Sequence, residues 1–257
     1  MIRATTPLAS LFVFVMPLLA SPGSPPPESA LYEIADGEVV SIENINGDIF
    51  VEAWGEPRVR VDYDFSGDPE SSGISILVDT SDGVSYSVEP DEPVLGFLES
   101  VDFSVSVPSD IEVGIRLSAV SGDIVLEGCN GSAELNTVSG DIVADGFDGV
   151  LEANAVSGVL ALSGCNRICC AAVVSGDMNV DLSGITSDCE LNAVDGDLII
   201  LFDPERSRVV ISTISGDVDG GPHAIRIEES VAGLSAFAGS GSWTIEVSTI
   251  SGDVELR

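Results

Sequence analysis

The chain contains no lysine: its 9 basic residues are all arginine, set against 43 acidic ones, and the formal charge at pH 7 is −34. So few cations exclude a protein that grips nucleic acid or an anionic membrane through a basic patch. Histidine occurs once, as His223, beside Gly220, Gly221 and Pro222 in a turn-like stretch. With a single imidazole, zinc or haem sites of the usual kinds are not expected, and no cofactor is implied. The H-E-x-x-H, G-x-S-x-G, P-loop and dinucleotide-binding fingerprints are all missing. Aromatic residues make up 5% of the chain, and Trp54, Trp243 and Phe237 are scattered, so no ladder of sugar-stacking rings is visible. A polysaccharide-cleaving β-helix enzyme would want such rings and a base near acidic metal ligands. Acidic pairs are too abundant here for a glycosidase pair to stand out. The expectation is a protein that is not an enzyme.

What is present is a core-forming composition. Apolar residues are 44% and charged residues 20%, with 27 glycines, which separates the chain from disordered acidic tails. A length of 257 residues fits one elongated all-β domain or two small ones. Arg3 followed by the apolar run Leu11 to Ala20 reads as a signal peptide over residues 1–20, cleaved between Ala20 and Ser24; an uncleaved anchor is the alternative. Pro22, Pro25, Pro26 and Pro27 make residues 21–30 a stiff linker. No second apolar run is long enough to cross a bilayer, no cysteine follows the first to take a lipid, and no anchoring tail is expected beyond Arg257. The expected location is extracytoplasmic: periplasmic, secreted or surface-associated.

A repeat dominates the second half. The segments SAVSGDIVLEG (118–128), NTVSGDIVADG (136–146), NAVSGVLALSG (154–164), AVVSGDMNVDL (172–182), NAVDGDLIILF (192–202), STISGDVDGG (212–221) and STISGDVELR (248–257) are copies of one unit. Their corner glycines, 122, 140, 158, 176, 196, 216 and 252, are spaced by 18, 18, 18, 20, 20 and 36 residues. A degenerate copy around Gly233 is expected to fill the last, double step. Each unit holds two short β-branched runs separated by turns, too short for helices. A two-strand unit cannot bury its apolar side alone, whereas stacking such units does.

The expected fold is therefore all-β, a parallel β-solenoid or β-helix with two-strand coils of about 18–20 residues, spanning residues 113–257. Eight coils about 4.8 Å apart make a rod of roughly 40 Å. Residues 31–112 are strand-like but irregular, and the corner copy NINGDIFVEAW (44–54) lies among them. They read as broader coils or a cap, with a separate small β domain as the alternative. Two columns are expected to line the interior: Val138, Val156, Val174, Val194, Ile214, Val231 and Ile250 before the corner, and Ile124, Ile142, Leu160, Met178, Leu198, Val218 and Val254 after it. Glu134, Glu152 and Glu190 should face water.

Two side-chain sets carry candidate chemistry. Asp123, Asp141, Asp177, Asp197, Asp217 and Asp253 repeat at the corner, with Val159 interrupting and Asp48 as a distant first copy. Carboxylates about 5 Å apart repel, which a divalent cation between coils would relieve; alternatively each Asp accepts hydrogen bonds from its own turn. Of five cysteines, Cys129 and Cys165 align with Phe147 and Ile185 and should be buried. Cys169 and Cys189 fall in one apolar column with Leu151 and Val209, on adjacent coils, close enough for a disulfide.

The S-G-D-[IV] corners, NINGDIFVEAW and VDFSVSVPSDIEVGIRLSAVSGDI (101–124) together resemble the bacterial and archaeal putative-adhesin family, a domain of unknown function built of β-strand repeats. The resemblance spans about residues 31–257 and rests on short repeated motifs. It implies an exported all-β solenoid and brings no catalytic residues. The leading expectation is a non-catalytic surface or adhesin-like module of the cell envelope, binding a cell-surface glycan or an envelope protein. An envelope-stress partner protein and a polysaccharide-acting enzyme are the alternatives. The C-terminal edge, ending in Val-Glu-Leu-Arg, is expected to lie uncapped and open to end-to-end self-association.

Overall fold

The computed structural model describes residues 28–66, 74–90, 99–223, 225–230 and 233–257. The expected signal peptide, most of the linker and Val231 lie outside the described residues. Seven strands come from the irregular first part: β1 (Ser29–Glu33), β2 (Val39–Asn46), β3 (Ile49–Trp54), β4 (Arg58–Phe65), β5 (Ile74–Asp79), β6 (Val84–Pro90) and β7 (Val101–Pro108). The repeats then give long and short strands in alternation: β8 (Val113–Ser121) and β9 (Ile124–Glu127), β10 (Asn130–Ser139) and β11 (Ile142–Asp145), β12 (Asp148–Ser157) and β13 (Leu160–Ser163). They continue as β14 (Arg167–Ser175) and β15 (Met178–Asp181), β16 (Cys189–Asp195) and β17 (Leu198–Leu201), β18 (Ser207–Ser215) and β19 (Val218–Asp219). The chain closes with β20 (Ile225–Ser230), β21 (Gly233–Gly239), β22 (Trp243–Ser251) and β23 (Val254–Leu256).

These strands form two mixed sheets in a repetitive all-β architecture. The long strands belong to a 12-stranded sheet, in the order β5, β6, β2, β8, β10, β12, β14, β16, β22, β18, β21, β20. The short ones belong to an 11-stranded sheet, in the order β1, β4, β7, β3, β9, β11, β13, β15, β17, β23, β19. Successive units pair in parallel and, apart from one bulge between β12 and β14, in register, so Leu135 lies beside Leu117 and Ala153, and Ile142 beside Ile124 and Leu160. That register superimposes like residues, because a slip of one residue would turn every buried side chain to water. The first corner copy joins the same stack, with β2 against β8 and β3 against β9. Antiparallel pairing is confined to the ends: β4 with β7 and β1, β5 with β6, and β21 with β18 and β20.

Two expectations are corrected by this order. The stretch around Gly233 is not a further unit in the parallel stack, since β21 runs antiparallel to β18. The last copy is not at the end either: β22 pairs with both β16 and β18, and β23 with both β17 and β19. The chain lays β18 and β19 one place too far, doubles back through β20 and β21, and fills the vacant place with residues 243–257. The Val-Glu-Leu-Arg terminus is therefore enclosed by neighbours on both sides.

The core lies between the two sheets. Ile124, Ile142, Leu160, Met178, Leu198 and Val254 form one buried column, as expected, with Val218 only half-buried at the margin. Leu117, Leu135, Ala153, Ala171, Leu191, Val247 and Ile211 face them from the long strands, all buried. At the opposite end five rings pack together: Tyr63 and Phe103 have centroids 6.0 Å apart, Tyr86 and Phe103 5.9 Å, Tyr63 and Phe65 5.8 Å, and Tyr32 and Tyr86 6.2 Å. The Tyr32 and Tyr86 hydroxyls share a 2.6 Å hydrogen bond, which satisfies a polar group on a ring that is otherwise enclosed. Burial raises the Tyr63 phenol to about 12, and raises Tyr86 as well.

Candidate functional site

The corner fixes which side chains reach solvent. Along β10 the alternation buries Ala133, Leu135 and Thr137, and after the corner it buries Ile142 and Ala144. Five residues separate Thr137 from Ile142, so the Ser-Gly-Asp turn shifts the two-residue period by one. Val138 consequently points outward. The column expected to be interior is exposed at each described member: Val138, Val156, Val174, Val194, Ile250 and Ile214, like Val120 before them, are 42–65% exposed. The residues actually buried before the corner are Ala119, Thr137, Ala155, Val173, Ala193, Thr249 and Thr213. Glu134, Glu152 and Glu190 face water as expected.

In spatial order the outward stripe runs Ile45, Val120, Val138, Val156, Val174, Val194, Ile250, Ile214, one residue per strand from β2 to β18. With strands about 4.8 Å apart, it is roughly 34 Å long. It lines two concavities on the outer face of the 12-stranded sheet, which meet at Ala172 and Val174. One is walled by Ser87 and Val88 of β6, the other by Gly233, Leu234 and Ser235 of β21. The result is a trough across eight strands with an edge hairpin at each end.

Beside the stripe runs a polar column of Ser118, Asn136, Asn154, Ala172, Asn192, Ser248 and Ser212. Its amides bond to their neighbours: Asn136 Nδ2 donates to Glu134 (3.2 Å), Asn154 Nδ2 to Glu152 (3.3 Å) and to the Asn136 carbonyl (3.1 Å), and Asn192 Nδ2 to Glu190 (2.9 Å). Glu134, Glu152, Glu190 and Glu246 form the outer rim on that side, with Arg116 reaching Glu134 at 3.9 Å.

The aspartates form the other rim, and their bonding differs from the bonds within a single turn considered from sequence. Each carboxylate accepts from the backbone N–H of the corner residue in the next unit. Asp102 accepts from Asp48 (3.0 Å), Asp48 from Asp123 (2.9 Å), Asp123 from Asp141 (2.8 Å) and Asp141 from Val159 (2.7 Å). The ladder resumes with Asp177 accepting from Asp197 (3.0 Å), Asp197 from Asp253 (2.9 Å) and Asp253 from Asp217 (2.8 Å). Asp48 is thus the immediate spatial predecessor of Asp123 and part of one ladder. Charge-assisted bonds of this kind offset the mutual repulsion of the stacked carboxylates. Among the described residues no group of three or more His, Cys, Asp or Glu is placed to hold a metal ion.

Cys129, Cys165, Phe147 and Ile185 are all buried. Burial, with nearby Glu52 and Glu127, pushes the Cys129 thiol up to about 12, and burial does the same for Cys189. The place in the apolar column assigned from sequence to Cys169 belongs to Ile168, which pairs with Leu151, because an extra residue bulges between the pairs Leu151–Ile168 and Glu152–Cys170. Cys169 is exposed, Cys189 is buried, and all five thiols are free in this structure. His223 rests against Phe202, with ring centroids 4.6 Å apart.

Fold and surface together define a class: an all-β protein of stacked two-strand units, with a long apolar trough between acidic rims on one face. Residues 168–257, β14 to β23, match the family described as Toastrack DUF4097, about a third of the chain. Within these residues the match agrees with the domain of unknown function that the corner motifs resemble. No curated protein matches the chain. Among solved structures, it is similar to a putative adhesin from Bacteroides fragilis at 11% identity and a TM-score of 0.45, covering 89% of this chain and 96% of that one. It is also similar to a putative cell adhesion protein from Clostridium sporogenes, at 11% identity and a TM-score of 0.40, covering 89% and 97%. A putative adhesin from Parabacteroides distasonis scores 0.42 at 10% identity, covering 89% and 96%. All three scores lie below 0.5 and do not establish a common fold.

Proposed function

We propose that this chain is an extracytoplasmic parallel β-solenoid that serves as a non-catalytic, adhesin-like binding module of the cell envelope. The observation that carries the reading is the trough: seven successive strands each present one exposed β-branched side chain on a single line, which the half-buried Ile45 of β2 continues. A monomeric soluble protein rarely leaves an apolar strip of this length exposed without using it. The stacked units make the platform stiff, because each unit is fixed by parallel pairing on both sides. In this reading residues 1–20 direct export and residues 21–30 tether the rod. Residues 31–112 then close its first end, and residues 113–257 form the regular array. The charge of −34 keeps such a rod soluble and apart from its own copies.

The test is binding of the purified mature protein to whole cells, wall fractions and a glycan panel, with polymer degradation assayed on the same samples. Retention on cells or wall material with the polymer left intact is the expected result. Degradation, or no retention on any envelope fraction, overturns the reading.

A further inference from the structure

The chemistry of the trough narrows what it can hold. Its lining contains Val, Ile, Ala, Thr, Ser, Asn, Leu, Gly and a single Glu43, with no aromatic ring and no cation among the described residues. Asn136, Asn154 and Asn192 each turn an amide N–H to a neighbouring glutamate. The formal charge along the trough's flanks is acidic: Glu134, Glu152, Glu190 and Glu246 on one side, with Arg116 paired to Glu134, and the aspartate ladder on the other. An anionic occupant is excluded by repulsion, and a second copy of this chain carries the same −34 charge. A neutral glycan lacks a ring to stack on and leaves the acidic flanks without a counter-charge. The complement is an occupant with an apolar face and fixed cationic donors along both flanks.

We infer that the trough docks a cationic, amphipathic polypeptide segment of a partner protein, its apolar residues on the Val120 to Ile214 stripe and its Lys or Arg side chains reaching the glutamate and aspartate rims. A helix of about 22 residues would span the roughly 34 Å length. Such a helix brings an apolar side chain round about every 5.4 Å, close to the strand spacing of about 4.8 Å. The inference rests on the binding-module reading and specifies its partner.

The probe is a fluorescent Leu/Lys amphipathic peptide of about that length, with a Leu/Glu peptide, a chitin oligosaccharide and phosphatidylcholine vesicles as comparison ligands. The variants are Val156→Asn with Val174→Asn, and Glu152→Gln with Glu190→Gln. Leu31→Asn with Leu201→Asn serves as the control, since both side chains are exposed outside the trough. Wild type and control should bind the Leu/Lys peptide equally, and high salt should weaken that binding. The valine pair should weaken it about tenfold or more, since two apolar contacts at the centre of the stripe are lost together. The glutamate pair should weaken binding and flatten its salt dependence. Binding unchanged by the valine pair, equal binding of the Leu/Glu peptide, or valine-dependent binding of oligosaccharide or vesicles in place of the peptide overturns the inference. If the valine pair still adheres to cells like wild type, the inference fails while the binding-module reading stands; if wild type does not adhere, that reading fails by itself.

Discussion

Replacing Gly158 by alanine tests the stacking of the units at a single atom. Gly158 has φ +135°, a region that L side chains rarely adopt, and a Cβ there would lie 2.1 Å from the Gly140 carbonyl oxygen and 2.7 Å from its carbon. Relieving that contact to about 3.4 Å requires the corner to move by about 1.3 Å. Four hydrogen bonds cross this place: Gly158 N to Ser175 O (3.3 Å), Gly140 N to Ser157 O (3.1 Å), Val159 N to Asp141 Oδ1 (2.7 Å) and Ile142 N to Val159 O (2.9 Å). Losing two or three of them costs about 1 kcal/mol each, and the backbone strain adds about 1–3 kcal/mol. The expected loss is therefore about 3–6 kcal/mol, a large share of the stability of about 5–15 kcal/mol typical of a native protein. Gly128 supplies the contrast. Its φ is +64°, but the nearest atom to an added Cβ is that of Ala53 at 4.0 Å, so Gly128→Ala should cost only the left-handed penalty of about 1–2 kcal/mol. Urea denaturation followed by far-ultraviolet circular dichroism measures both. If the two variants lose the same stability, the close approach of successive corners is not what makes Gly158 necessary, and the argument is refuted.

Val159→Asp should restore the ladder by giving the Asp177 N–H a carboxylate acceptor, as Asp177 does for Asp197; a gain of about 0.5–1 kcal/mol is expected after repulsion from Asp141 and Asp177, and a lower urea midpoint would contradict it. Sodium chloride should raise the melting temperature of the wild type by screening the −34 charge, and calorimetry at low and high salt checks this. Thiol labelling of the native protein should be fast at exposed Cys169 and slow at buried Cys129, Cys165 and Cys189, with intact mass reporting whether Cys169 and Cys189 have joined. Because the Cys129 and Cys189 thiols rise from 9.0 to about 12 on folding, the unfolded chain sheds protons that the native one keeps between those values. Stability should therefore fall as pH rises through that window, and pH-dependent urea midpoints for Cys129→Ala and Cys189→Ala should fall less.

The repeat was legible because one chemical pattern recurs at a fixed spacing, and the pairing of Leu135 with Leu117 and Ala153 follows from that spacing alone. The valine column was misplaced for a specific reason. An unbroken β-branched column reads as interior from its chemistry, whereas the odd step from Thr137 to Ile142 across the Ser-Gly-Asp corner turns Val138 and its counterparts outward. The trough was hidden by the same error, since it consists of the residues so displaced. The aspartate ladder was visible as a column, but its hydrogen bonds run between units, and sequence distance gives no hint that Asp48 touches Asp123. The bulge at Cys169 comes from one extra residue in a unit whose neighbours lack it, a local event that composition does not mark.

Most repeat arrays grow by addition, each unit laid on the exposed face of the one before it. Here residues 243–257 act as a keystone: β22 sits between β16 and β18, and β23 between β17 and β19. Some contacts that hold them, such as Glu190 with Glu246, join residues far apart along the chain. Deleting the segment would not shorten the stack by one unit; it would divide each sheet internally and open two raw strand edges there. A chain truncated before residue 243 would thus present, in the middle of each sheet, the edges most prone to join another chain.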